Sequence, residues 1–314
     1  MNTEASVPSQ GRAWPVWPWQ AWACGIGLLA GGLTVAWLDA HPTVGATMPP
    51  AGPTHPVRVV SVNLASDEIL LDLAPEKLLA VSALAVDANA SNVARQAATV
   101  PNRLNADVER ILLLEADVVA IGAHSLAVAH QLEEFGVRVV RIAGYDSIDW
   151  TRSLIRTLGD TVGEPARAEA MIGAMDRRLA AVVERVNGRP RPVVALYSLS
   201  GWTPGQNTIT DEIIRLAGGE NLAAQLGLRG WKKLSLDQLI LSDPDIIILR
   251  GGSKNTPANR ELIEHPALQQ LRAIRNGRVV TLEPRLVTTV SHHLAETVET
   301  LARLFHPAAF EEAS

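Results

Sequence analysis

The sequence predicts an α/β protein of two parallel-sheet lobes facing each other across a cleft and joined by a single long α-helix. Three observations predict it. Short runs rich in Val and Ile alternate with amphipathic segments, the pattern of a helix-covered parallel sheet. One segment, Glu164 to Val186, carries an uninterrupted helical stripe of apolar residues. A helix-turn-strand pattern occurs twice at the same spacing.

The strands and helices follow in order. Arg58 to Leu64 reads as a buried strand, and Ser66-Asp67 caps an apolar-periodic helix through Leu73. Leu78 to Val81 is a second strand, Ala106 to Leu114 a helix, and Asp117 to Ile121 a third strand. His130 to Phe135 closes a helix that Gly136 stops, and Arg138 to Ile142 is a fourth strand. Ile148 to Leu158 is helical. Pro165 then opens a helix whose stripe is Met171, Ile172, Met175, Leu179, Val182, Val183 and Val186, ~35 Å long at 1.5 Å per residue. Beyond Gly188 the alternation restarts. Strands are expected at Val193 to Tyr197, Asp245 to Leu249 and Arg278 to Leu282. Helices are expected at Asp211 to Ala217, Leu236 to Leu241, Ala267 to Arg275 and His293 to Leu304. The organisation expected is an N-terminal lobe over 57–147, a helical connector over 148–188 and a C-terminal lobe over 189–314.

The repeat pairs Asp107 to Gly122 with Ser235 to Arg250, keeping the distance from Glu109 to Asp117 equal to that from Asp237 to Asp245. Ser66-Asp67-Glu68-Ile69-Leu70 is echoed by Thr210-Asp211-Glu212-Ile213-Ile214. The lobes therefore read as related to each other.

Composition sets limits. With 47% hydrophobic and 19% charged residues the chain builds cores rather than remaining disordered. A formal net charge of -5 argues against nucleic acid as a main partner. Cys24 is the single cysteine, so no intramolecular disulfide forms. Trp22 to Leu38 is apolar apart from Thr34, and Val44-Gly45-Ala46 supplies the small residues a signal peptidase favours. Residues 1–46 are expected to export the chain to the periplasm, with 47–56 as a linker. A retained membrane anchor is the alternative, because Arg12 is the lone basic residue before the run and Glu4 opposes it. Cys24 lies near the start of the apolar run, where a lipid-modified cysteine does not belong.

An ordered set of segments resembles the periplasmic binding proteins for iron-siderophores, haem and vitamin B12. The segments are Val59 to Leu70, Val108 to Asp117, Asp211 to Leu222, Leu234 to Leu239, Asp243 to Ile248, His265 to Leu268 and Asn276 to Val280. The resemblance covers Val57 to Pro307. It implies two lobes on one long helix, a small-molecule chelate or corrinoid as ligand, and an ABC permease dimer as partner. It also implies a monomer with no cofactor, and one surface acid per lobe that meets the permease. The matching acids are Glu109 and Asp237, the latter standing where the family usually has Glu.

Ligands of parallel α/β sheets bind beyond the carboxyl ends of the strands. That places Ala65, Ser66, Asp87, His124 and Tyr145 from the first lobe, and Trp202, Trp231, Arg250 and Arg285 from the second, as candidate ligand contacts. Tryptophan faces bury apolar ligand surface, and arginines pair with carboxylate or catecholate oxygens. His292-His293 precede the last helix, and because adjacent side chains on one helix do not face each other well, they are a poor metal site as a pair. No His-Glu-x-x-His, phosphate loop, cysteine cluster or Gly-x-Ser-x-Gly elbow occurs, so no catalytic constellation is expected. Two other readings stand beside the chelate carrier. One is direct zinc or manganese binding through His124 and His292; the other is a membrane-anchored sensor or interaction protein.

Overall fold

The computed structural model describes residues 57–198, 200–249 and 254–311. The expected export segment, the linker and Arg250 lie outside them. In the first lobe five strands run parallel: β1 (Val59–Ser61), β2 (Leu78–Ser82), β3 (Asn102–Leu104), β4 (Val118–Gly122) and β5 (Arg138–Ile142). Their spatial order is β3-β2-β1-β4-β5. Helices α1 (Leu64–Leu73), α2 (Ala94–Ala97), α3 (Val108–Leu113) and α4 (Leu126–Glu134) connect them. The central strands β1, β2 and β4 are buried on both faces, which is why they read as continuous apolar runs rather than alternating ones.

Two helices carry the chain out of this lobe, α5 (Ile148–Val162) and α6 (Pro165–Val186). The apolar stripe of α6 is divided between two cores. Ala168 and Ile172 belong to the core of the first lobe. Met175, Leu179, Val182 and Val186 belong to that of the second. One helix of ~33 Å, 22 residues at 1.5 Å each, is thus fixed at both ends by burial. Gly159 lets α5 lie against it: a Cβ there would stand 2.4 Å from the Cβ of Ala168.

The second lobe holds β6 (Val193–Tyr197), β7 (Trp202–Pro204), α7 (Ile209–Leu216), β8 (Glu220–Asn221), α8 (Leu222–Gln225), β9 (Trp231–Lys233), α9 (Leu236–Ser242) and β10 (Ile246–Leu249). After these come α10 (Pro257–Glu264), α11 (Arg272–Arg275), β11 (Val279–Thr281), α12 (Pro284–Thr288) and α13 (Leu294–Phe305). A parallel sheet runs β11-β10-β6-β8, and β7 and β9 form a separate antiparallel ribbon. The expected helix from Ala267 to Arg275 is two pieces, a 3-10 turn at Pro266–Leu268 and α11. The cap of α1 also differs from expectation. Asn63 caps it, accepting from the Ala65 N–H at 3.0 Å, while Ser66 and Asp67 lie inside the helix with no exposure.

The repeat has a structural cause. Asp117 Oδ2 accepts the Arg58 N–H at 2.8 Å, and Asp245 Oδ2 accepts the Val193 N–H at 2.8 Å. Each acid therefore ties the start of its lobe's first strand to the strand that pairs beside it. The turns leading into β4 and β10 match as well, since Glu115 and Asp243 both adopt positive φ, 50° and 42°.

Gly159→Val should lower stability by about 1–3 kcal/mol through overpacking against α6. Adding Ala168→Gly should recover part of the loss in chemical denaturation. An unchanged midpoint in the single variant would show that the α5–α6 approach is loose.

Candidate ligand cleft

Each sheet has one topological switch point, where successive connections leave in opposite directions. In the first lobe it falls between β1 and β4, and in the second between β6 and β10. At the first, Asn63 and Gly122 follow β1 and close β4. A Cβ on Gly122 would stand 2.6 Å from the His124 ring and 3.1 Å from Asn63 Nδ2, so glycine here lets the His124 ring cover the strand end. Asn63 Nδ2 donates to the Tyr145 hydroxyl at 3.0 Å, which donates in turn to the Ile142 carbonyl at 3.3 Å. Tyr145 has φ +54° and its ring lies 4.8 Å from that of Trp150. A non-glycine residue in the left-handed region costs energy, and here the ring contacts and hydrogen bonds hold it there. Burial raises the Tyr145 phenol above its ordinary pKa, so it remains a donor at neutral pH. Leu84, after β2, and Leu126, after β4, are 55% and 51% exposed, giving this rim an apolar character.

The second lobe contributes the β7–β9 ribbon, which was expected as two loops. Three-residue strands bounded by glycines carry too short a pattern to be read as strands. The ribbon hangs from the carboxyl end of β6: Thr203 Oγ1 donates to the Leu196 carbonyl at 2.8 Å, and the Gly201 N–H to the Ser198 carbonyl at 2.8 Å. Register places Trp202 opposite Lys233 and Pro204 opposite Trp231. Directly paired residues share a face, so Trp202, Lys233 and Trp231 stand together on one side of the ribbon, opposite the face of buried Thr203. Trp202 is half-buried and Trp231 exposed.

The lobes also meet directly. Glu68, fully buried on α1, accepts at Oε1 from the Asn92 N–H (2.9 Å) and Asn92 Nδ2 (2.8 Å). At Oε2 it accepts from Thr289 Oγ1 (2.7 Å) and Ser291 Oγ (2.6 Å). One turn on, Asp72 Oδ2 lies 2.9 Å from His292 Nε2 and 3.1 Å from His293 Nε2. Arg285 completes this seam, reaching Asn92 Oδ1 and Glu296 Oε1 at 2.7 Å each and Glu283 Oε2 at 2.8 Å.

The candidate residues therefore sort by place. His124 is exposed and Tyr145 half-buried at the first switch point, with exposed Asp87 beyond β2. Trp202 and Trp231 share the ribbon. Ala65 and Ser66 are buried in the first turn of α1, Ser66 bonded to Ser61 Oγ (2.7 Å) and to the Asn63 carbonyl (2.9 Å). Arg285 is engaged in the seam between the lobes. Arg250 follows β10 in the sequence and lies outside the described residues. Sequence reading missed Asn63, Glu68, Asp72 and Lys233; the first three are helix-capping or first-turn residue types whose partners lie far along the chain. A concavity lined by Arg189, Arg191, Arg278 and His306 opens at the amino ends of the second sheet's strands. Its arginines are spent on backbone carbonyls, Arg191 on Gly219 and Arg278 on Leu304, so it is a capped strand end rather than a ligand site.

Two parallel-sheet lobes on one bridging helix, with aromatic and polar side chains at both switch points, define a protein built to capture a solute. The model of the periplasmic binding protein family matches residues 59–286, and the chain belongs to that family. It is 23% identical over 219 residues to an uncharacterized ABC transporter substrate-binding lipoprotein of Bacillus subtilis, covering 67% of this chain and 68% of that one. It is 26% identical over 212 residues to a cobalamin-binding protein of Halobacterium salinarum, covering 66% of this chain and 57% of the relative. The apo form of the periplasmic heme-binding protein RhuT of Roseiflexus sp. RS-1 matches with a TM-score of 0.67 at 27% identity, covering 81% of this chain and 100% of that one. Among the described residues no helix is long and apolar enough to cross a membrane, and the segment Trp22 to Leu38 lies outside them.

Asp67 supplies a pH test of this architecture. Burial raises its carboxyl to about 7, against the opposing hydrogen bonds of Ser61 and Ser82. A carboxyl that ionises less readily folded than unfolded binds more protons in the folded state. Stability must therefore fall as pH rises from near 4 to about 7, and level off above. Asp67→Asn should remove that slope, so its stability relative to wild type should improve by about a few kcal/mol across the window. Denaturation midpoints at the two ends measure it; a constant difference would refute the assignment.

Proposed function

We propose that this protein is the periplasmic substrate-binding component of an ABC importer. Its ligand would be a metal chelate with a flat conjugated ring and anionic groups: a tetrapyrrole such as heme or a corrinoid, or an iron-siderophore. The observation that carries this reading is the shared face of Trp202, Trp231 and Lys233. Two indoles offer stacking surface worth about 0.5–1.5 kcal/mol per ring pair beyond area burial, and a lysine beside them suits a carboxylate or catecholate edge. Exposed Leu84 and Leu126 supply apolar contact from the first lobe. His124, Tyr145 and Asp87 supply the polar groups that orient a ligand, with Arg250 next in sequence after β10. The relatives named for cobalamin and heme support the same class.

Quenching of tryptophan fluorescence tests it. Heme, cobalamin and ferric siderophores, titrated separately, should give saturable quenching for one of them. Trp202→Ala with Trp231→Ala should weaken that ligand by about 10-fold or more. No saturable binding by any of the three would count against the reading.

Handover to the permease is proposed to use Glu109 and Asp237. Both are exposed in the first turns of α3 and α9. One turn after each stands a leucine that is almost fully exposed, Leu113 at 81% and Leu241 at 85%. A repeated acid-and-leucine face on two related lobes suits a two-fold partner whose subunits each offer a basic residue beside an apolar pocket. Exposed ion pairs alone are worth about 0–1 kcal/mol, so the acids steer docking while the leucines contribute burial. Glu109→Lys with Asp237→Lys should abolish uptake in cells and leave ligand affinity unchanged; uptake at the wild-type rate would sink this assignment.

A further inference from the structure

We propose that Asp72, His292 and His293 form a binding site for a divalent transition metal of the zinc class, which clips the two lobes together at their seam. The two histidines do not lie on a helix. α13 begins at Leu294, and the turn before it directs both rings at one carboxylate oxygen. Their Nε2 atoms lie 2.9 Å and 3.1 Å from Asp72 Oδ2, with ring centroids 4.2 Å apart. All three ligand atoms fall within 4.8 Å of one another.

Hydrogen bonding alone leaves this cluster incomplete. His293 Nε2 is buried and, despite its 3.1 Å approach to the carboxylate, makes no hydrogen bond; His292 Nδ1 is likewise buried and without one. Close approach without donor alignment is what two ligands of a common ion show. Zinc takes imidazole nitrogen and carboxylate oxygen at about 2.0–2.2 Å, so tetrahedral partners stand ~3.3 Å apart, a few tenths of an ångström from the two histidine–carboxylate spacings. The other carboxylate oxygen of Asp72 accepts from Gln96 Nε2 at 3.0 Å, an outer bond of the kind that orients a metal-binding carboxylate. The side chains are 15–26% exposed, which leaves the fourth position to water.

The site is separate from the chelate cleft. Asp72 lies eight residues along α1 from Leu64, ~12 Å from the helix end at the β1 switch point. Asp72 belongs to the first lobe and the histidines to the second, so a bound ion bridges them beside Glu68. It is a resident clip, not transported cargo, and it does not depend on the identity of the chelate.

Zinc chloride added to the full chain, followed by removal of excess and metal analysis, should leave one zinc per chain and raise the Tm. Cobalt(II) should give the intense visible bands of a tetrahedral site. His292→Gln and His293→Gln should each weaken zinc by at least roughly tenfold, and together abolish both uptake and the Tm rise. In wild type, zinc should protect His292 and His293 from diethyl pyrocarbonate while exposed His130 stays reactive; this readout stands even where a variant fails to fold. No stoichiometric uptake, uptake retained by the double variant, or unprotected histidines under saturating zinc would each overturn the proposal.

Discussion

Glu68 is the constraint on which the arrangement of the lobes depends. A carboxylate with no solvent exposure costs several kcal/mol to desolvate and is tolerated only when its lone pairs are filled. Two donors come from Asn92 in its own lobe and two from Thr289 and Ser291 in the other. Pulling the lobes apart strips half of the donors and leaves Oε2 of Glu68 without either of its partners. The strap from Thr288 to Ser291 is pinned further by Thr288 Oγ1 on the Ala90 carbonyl and by Thr151 Oγ1 on that of Val290. The seam is thus a set of hydrogen bonds that work only at one inter-lobe angle, and α6, buried in both cores, opposes the same motion. Lobes held this way keep one relative orientation, so a ligand binding between them would not have to offset the ordering of two loose domains.

The parts of the fold legible in the sequence were those governed by periodicity. The stripe from Met171 to Val186 marks α6 because every third or fourth residue must face a core. β6 was read to the residue because burial makes it a continuous apolar run, and β5 because Val139, Val140 and Ile142 are buried beside the half-buried Arg138 and Arg141. The repeat was legible as spacing, but its cause was not. Asp117 and Asp245 each close a bond to a strand that begins over fifty residues earlier, and no local pattern records that partner. Asp67 and Glu68 were hidden by a rule that usually holds: acids in a first helical turn are capping or dipole charges. Here α1 is buried all round, so both turn inward, one to Ser82 and one to the other lobe.

The candidate site was half legible for a related reason. Strand ends locate His124 and Tyr145, since ligands gather where a parallel sheet reverses its connections. Whether two tryptophans separated by nearly thirty residues share a face depends on register, and only the pairing of Trp202 with Lys233 and of Pro204 with Trp231 fixes it. His292 and His293 show the opposite error: placed on a helix, neighbours diverge, but in the turn ahead of α13 they converge.

The repeated segments join the two ends of the functional argument. Each begins with an exposed acid and leucine on a short helix, passes through an acid that anchors the sheet, and ends in a strand flanking a switch point. In the first lobe one rigid element runs from Glu109 through Asp117 to Gly122 and His124; in the second the same element runs from Asp237 through Asp245 to Leu249. A partner that grips both helices therefore holds both walls of the cleft through paired strands rather than through flexible loops. Any torque it applies must be resisted by α6 and by the bonds around Glu68. The seam that fixes the angle between the lobes is then also the element that would have to yield if a partner on both helices turned one lobe against the other.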